Sequence, residues 1–253
     1  MVEPQQAPLA RQESLATQAT LAQQVKHTGY VRGVFTRIAP RYDLMNRLMT
    51  GGQDLRWRGE VIQHASLPAG ARLLDLGTGT GDLAREALRR HPDCQVLAVD
   101  FTLAMMQAGR SRAGAVSQWV AADALQLPFP DASFDAVISG FLLRNVADLQ
   151  QALKEQFRVL KPGGWFVSLD TTRPGRNLLS PFIHFHMHRV IPFLGWLLTG
   201  QKDAYTYLPD SSERFLRAEE LAARLAACSF REVCFRRRMF GTVAIHWARR
   251  PVG

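Results

Sequence analysis

From Arg72 onward, short apolar runs alternate with stretches whose apolar positions recur three or four residues apart. A run of about four to eight apolar residues bounded by turn residues reads as a buried strand, and the wider spacing as an amphipathic helix. On that basis RLLDLG is a first strand, Gly79 to Arg90 a helix with Leu83, Ala87 and Leu88 on one face, and QVLAVD a second strand ending at Asp100. TLAMMQAGRSR reads as a helix, SQWVAAD as a third strand ending at Asp123, and FDAVISG as a fourth. The helix LQQALKEQFRVL is stopped by Lys161-Pro-Gly-Gly164, and GWFVSLD follows as a fifth strand. AEELAARLAACSF predicts one more helix, and REVCFRRRMF with GTVAIHWARR a closing hairpin. Apolar strands separated by helices predict an α/β fold. The expected architecture is a three-layer sandwich around a mostly parallel, seven-stranded, Rossmann-like sheet with a C-terminal antiparallel hairpin.

The remaining segments define the domain plan. Residues 1–26, rich in Gln, Ala and Thr, read as a loose tail without a signal peptide's cationic start and apolar core. Residues 27–253 read as a single domain, with an N-terminal helical lid at about 30–64 and a helical cover inserted at about 176–205. That insertion holds LLSPFIHFHMHRVIPFLGWLLTG, which Pro181, Arg189, Pro192 and three histidines disqualify as a membrane span. Its Phe182, Phe185, Met187, Phe193 and Trp196 could line a lipophilic path. His184 and His188 have metal-like spacing, but no third ligand stands near, so no metal site is expected.

Composition adds less. A hydrophobic content of 47% over 253 residues suffices for a sizeable core. Three scattered cysteines, Cys94, Cys228 and Cys234, fit reduced thiols and a cytoplasmic setting. The net charge of +9 favours acidic partners, and six arginines against the single acid Glu232 crowd the segment from Ser229 to the end. Arg236, Arg237 and Arg238 are therefore expected to face an anionic membrane surface.

Ligands of such sheets bind at the carboxyl ends of the strands. Asp75-Leu-Gly-Thr-Gly-Thr-Gly-Asp82 lies between the first strand and its helix, with Asp75, Gly77, Thr78 and Gly79 as expected ligand contacts. Asp100 ends the second strand, where a carboxylate accepts from ribose hydroxyls; Asp123 and Ala124 follow the third, beside an adenine amine; Gly140 ends the fourth. In a dinucleotide register Asp82 would stand at the third glycine, where an acid suits a cationic ligand such as S-adenosylmethionine better than a pyrophosphate.

LLDLGTGTGD, the VD at 99–100, LPFPDASFD and LKPGG together resemble the class I S-adenosylmethionine-dependent methyltransferases. RIAPRYDLMNRLMTGGQDLRWR (37–58), LRNVAD (143–148) and YTYLPDSSERF (205–215) narrow the resemblance to the ubiquinone/menaquinone biosynthesis C-methyltransferases, from about Val34 to the C-terminus. Thr36, Gly140, Leu142, Asp170, Ser212 and Leu216 depart from that family's usual residues. The resemblance implies S-adenosylmethionine as cofactor, with Thr80 joining Asp100, Asp123 and Ala124 as contacts, and C-methylation of a polyprenylated quinol. Such chemistry needs an anion stabiliser and dry walls, for which Arg144, Asn145 and Tyr42 are the candidates. The expected partners are that quinol, an anionic membrane met peripherally on its inner face and, in a homodimer, a second copy; no nucleic acid is expected. The alternatives are RNA methylation and a non-catalytic cofactor-binding scaffold in a quinone-synthesis complex. GFLLRN stands where a base-flipping Asn-Pro-Pro-Tyr motif would be.

Overall fold

The computed structural model describes residues 6–112, 116, 118–174, 181, 185, 189–190, 207 and 210–252, with side chains from residue 22 on. In chain order its main elements are α1 (Gln6–Ile38), α2 (Tyr42–Thr50), α3 (Asp54–His64), β1 (Arg72–Leu76), α4 (Asp82–Arg90), β2 (Gln95–Asp100), α5 (Leu103–Arg110) and β3 (Gln118–Ala121). Then come β4 (Phe134–Gly140), α6 (Leu149–Val159), β5 (Leu160–Thr171), α7 (Ala218–Ala227), β6 (Arg231–Arg238) and β7 (Val243–Arg249).

Seven strands form one sheet in the order β3-β2-β1-β4-β5-β7-β6. The first five run parallel, and β7 pairs antiparallel with both β5 and β6. The expected sandwich and hairpin are both present. Alternating residues explain the two cores, because neighbours along a strand point to opposite faces. Leu73, Val96, Ala98, Ile138 and Val167 pack with Trp57, Val61 and Ile62 of α3 and Leu83 and Ala87 of α4. Leu74, Leu76, Val99, Val137 and Phe166 pack on the other face with Leu153 of α6 and Leu221 and Leu225 of α7. A third cluster joins Val31, Val34, Phe35 and Ile38 of α1 to Met45, Met105 and Tyr207, and so seats α1 and α2 against α5.

Three sequence expectations change. Residues read as a loose tail are helical from Gln6 and belong to α1; their alanine, leucine and glutamine are good helix formers, which outweighs the polar composition. The helix after the glycine loop starts at Asp82, since Gly79 and Gly81 take left-handed backbone angles that a helix cannot use. Two of the three arginines assigned to lipid are spent within the protein: Arg237 pairs with Glu219, and Arg238 with Glu60 of α3. Of the cover insertion, Phe185 is described and exposed, whereas Phe182, His184, Met187, His188, Phe193 and Trp196 lie outside the described residues.

Candidate active site

β1 ends in a loop that two buried carboxylates hold. Asp75 Oδ2 accepts from Thr78 Oγ1 (2.6 Å) and from the Ala84 amide (3.0 Å), tying the loop to the first turn of α4. Asp100 Oδ2 accepts from the Gly79 amide (2.8 Å) and its Oδ1 from the Thr102 amide (2.7 Å). Gly77 is obligatory: φ is +67°, and a Cβ there would lie 2.8 Å from Leu142 Cδ1. Asp75 is fully buried and its Oδ1 has no partner. Burial pushes its carboxyl up to about 7, against the hydrogen bonds from Thr78 and Ala84. Burial also raises Asp100, opposed by the Thr102 and Gly79 amides.

The predicted cofactor residues converge at the carboxyl ends of neighbouring strands, with distinct surroundings. Asp123 is exposed after β3 and accepts from the Leu125 amide (2.9 Å), while Ala124 beside it is buried. Gly140 closes β4, where a Cβ would meet Leu83 Cδ1 at 3.0 Å. Thr80 is buried and donates to Asp43 Oδ1 (2.7 Å), clasping α2 to the loop. Asp82 is not presented to a cationic ligand either. Its Oδ2 pairs with Arg58 and Arg47 (3.5 Å to Arg47), and its Oδ1 with Arg85 (2.7 Å) and Arg112 (2.9 Å). Nucleoside fit rests instead on the side-chain-free cradle at Gly77 and Gly79, and on the acceptor sites that two hydrogen bonds leave unused on Asp100.

Beyond β4 the chain turns sharply through Phe141, whose φ of +60° is unusual for an aromatic residue. A 3₁₀ turn follows at Leu143–Asn145. Leu143 anchors it in the core, and Arg144 runs over the Phe141 ring, its guanidinium carbon 5.0 Å from the centroid. Arg144 Nη1 donates to Asp170 Oδ1 at the end of β5 (2.5 Å), both side chains being 5% exposed or less. Its Nε is buried without a partner. No surface pair with Asp148 forms, because that carboxylate caps α6 through the Gln151 amide (3.0 Å). Asn145 is fixed from both ends: Nδ2 donates to the Phe141 carbonyl (2.8 Å), and Oδ1 accepts from Tyr207 (2.9 Å). Burial raises the Tyr207 phenol and keeps it a neutral donor.

A cavity of about 430 Å³ opens beside this turn, lined by Arg144, His27, Tyr30, Tyr207, Asp210 and Arg214 among others. Tyr42 stands next to the glycine loop, its Cε1 3.9 Å from where a Gly79 Cβ would be and its ring edge-on to Phe35. Burial pushes its phenol up; Asn46 nearby opposes this, though its Nδ2 finds no partner of hydrogen-bond geometry. Sequence reasoning missed Asp170 as the partner of Arg144, and missed His27 altogether. Tyr207 stood inside a quoted motif without a role. Among the described residues no cluster of three or more metal-ligating side chains occurs.

The family model described as the ubiE/COQ5 methyltransferase family matches residues 22–250. The chain is 45% identical over 218 residues to the ubiquinone/menaquinone biosynthesis C-methyltransferase UbiE of Desulfotalea psychrophila, covering 86% of this chain and 89% of that one. It is 45% identical over 221 residues to the demethylmenaquinone methyltransferase of Thermus thermophilus, covering 86% and 100%. Solved structures share the fold at low identity. The [4+2]-cyclase SpnF superposes with a TM-score of 0.64 at 20% identity, covering 88% of this chain and 96% of that one. Phosphoethanolamine N-methyltransferase 2 of Haemonchus contortus, in complex with S-adenosyl-L-methionine, gives 0.62 at 16%, covering 87% and 57%. A cyclase among them illustrates why the fold alone names no reaction.

Proposed function

The chain belongs to the ubiE/COQ5 methyltransferase family, and from that premise we propose how its residues methylate a quinol ring. The protein is an S-adenosylmethionine-dependent C-methyltransferase of quinone biosynthesis. When bound, S-adenosylmethionine supplies a methyl group on a positively charged sulfur. We assign its binding to the loop from Gly77 to Gly79, to Asp100 as ribose acceptor, and to Asp123 and Ala124 at the adenine. Asp75, Thr78 and Thr80 hold that loop in shape.

The quinol belongs in the cavity beside Arg144. A ring carbon becomes nucleophilic when a neighbouring hydroxyl loses its proton, and the resulting oxyanion needs a preorganised donor. The observation that carries this reading is the buried, unpartnered Nε of Arg144, on a side chain that Asp170 and Phe141 hold in place. Arginine does not give up its proton, so the role is charge stabilisation. Asn145, engaged with Phe141 and Tyr207, positions the turn, and Tyr42 walls the cleft between lid and loop. A prenylated quinol resides in lipid, so the protein meets a membrane peripherally; no helix among the described residues is long and apolar enough to cross one.

The test is methyl transfer from labelled S-adenosylmethionine to a panel of demethylnaphthoquinols and demethylbenzoquinols, with tRNA as control. Label on a quinol ring carbon is expected. Label in tRNA, or in no quinol, would overturn the reading.

A further inference from the structure

The lid helix α1 delivers a histidine to the cavity that holds Arg144. We propose that His27 is the proton acceptor for the quinol hydroxyl, an assignment that rests on the quinol reading of that cavity. His27 Nε2 lies 3.1 Å from the backbone carbonyl oxygen of Asn145. A carbonyl can only accept, so Nε2 carries the hydrogen and Nδ1 of the neutral ring keeps its lone pair. Among the described residues Nδ1 has no hydrogen-bond partner. A histidine oriented through one nitrogen by a fixed carbonyl, with no partner for the other among the described residues, is arranged as a general base. The carbonyl belongs to the residue after Arg144, so the same turn places the base and the anion stabiliser.

The other titratable groups around His27 are less suited. From the turn after β4 comes Arg144, which keeps its proton, with Asp170 paired to it. Tyr207 is a donor to Asn145, and Tyr30 packs edge-on to Tyr207 at 5.5 Å between centroids. From the segment after Tyr207 come Asp210 and Arg214, whose charges lie 3.9 Å apart on an exposed edge. On α1 itself Lys26 is exposed.

In the step, the hydroxyl O–H bond breaks, its proton passes to Nδ1, and the electron pair stays on oxygen, beside the Arg144 guanidinium. That pair delocalises into the ring and makes the adjacent carbon nucleophilic. Once that carbon has taken the methyl group, whose bonding pair stays on sulfur as S-adenosylhomocysteine leaves, its own hydrogen departs as a proton and one proton returns to the oxygen to restore the hydroxyl. The half-exposed imidazolium returns its proton to water, so each turnover releases one proton.

His27→Gln retains an amide donor for the Asn145 carbonyl but supplies no base. Single-turnover methylation of a demethylnaphthoquinol at saturating cofactor should fall about 10²-fold or more near pH 7. The wild-type rate should rise with pH along a limb that the variant lacks. Added imidazole should restore part of the rate to His27→Ala. A readout without turnover is the absorbance of 1-naphthol bound with S-adenosylhomocysteine: it should ionise at lower pH on the wild type than on His27→Gln. Nitrogen-15 NMR of the wild type should find His27 protonated on Nε2 at about pH 8, which tests the tautomer without any variant. Protonation on Nδ1, or a variant with the wild-type rate and pH profile, overturns the proposal while leaving the quinol reading intact. A wild type that methylates no quinol overturns that reading and this one with it.

Discussion

Two of the arginine–carboxylate regions among the described residues are built differently. In the first, Asp43, Asp54 and Asp82 meet Arg47, Arg58, Arg85 and Arg112, joining α2, α3, α4 and the segment after α5. None of these arginines has a buried nitrogen left without a partner. At the end of β4 a single, more deeply buried pair, Arg144–Asp170, leaves a guanidinium nitrogen unpaired beside a cavity. A saturated network fastens elements together. An unsaturated buried donor carries an unmet desolvation cost that an incoming anion can relieve.

The comparison breaks most sharply at Arg144. Arg144→Lys keeps a charge for Asp170 but replaces the planar fork, so single-turnover methylation should fall about 10²–10³-fold with little change in melting temperature. A near-normal rate would place Arg144 with the fastening arginines. Arg144→Ala is a poorer test, since stranding the buried Asp170 charge costs about 3–5 kcal/mol by itself.

Asp82→Asn should show the converse: about 3 kcal/mol lost in urea unfolding, with turnover at saturating cofactor changed less than about threefold. Burial works to raise the Asp82 carboxyl, but Arg58, Arg85 and Arg112 outweigh it and hold it below the usual range. Its stabilising contribution is therefore present above about pH 4 and lost as pH falls, and the variant should lack that acid-side decline. A larger loss of turnover than of stability would merge the two regions.

A further contrast is Asp75, a carboxylate with no arginine in hydrogen-bonding reach. Its raised folded pKa means that the folded state binds more protons than the unfolded state between about pH 4 and 7. Wild-type stability relative to Asp75→Asn should fall as pH rises through that window, by at most about 1.4 kcal/mol per pH unit. Parallel melting curves for the two proteins across that range would contradict a buried, protonatable Asp75.

The sheet was legible because strand and helix patterns are local: the limits of β1, β2 and β4 coincide with apolar runs, and the loop after β1 with its glycines. Arg144 stood out because a cation at the end of an apolar strand is a local anomaly. Its surroundings were not readable, since Asp170, Tyr207 and His27 reach the turn from 26, 62 and 118 residues away. Asp82 misled for the same reason: its position beside the loop is visible in the chain, whereas the four guanidinium groups that occupy it arrive by packing. The polar composition before Lys26 suggested a loose tail, yet that segment continues the helix that brings His27 into place.

Gly77 and Leu142 have a consequence for the order of events in a catalytic cycle. The loop glycine lies so near Leu142 that one added carbon would collide with it, and Leu142 stands two residues before Arg144. Loop and turn are therefore closely packed: on the proposed assignment, a nucleoside held at Gly77 would bear on Leu142 and the residues that follow. Linkage makes such coupling reciprocal, so a quinol seated against Arg144 must tighten or loosen the cofactor by the same factor that the cofactor changes its own affinity.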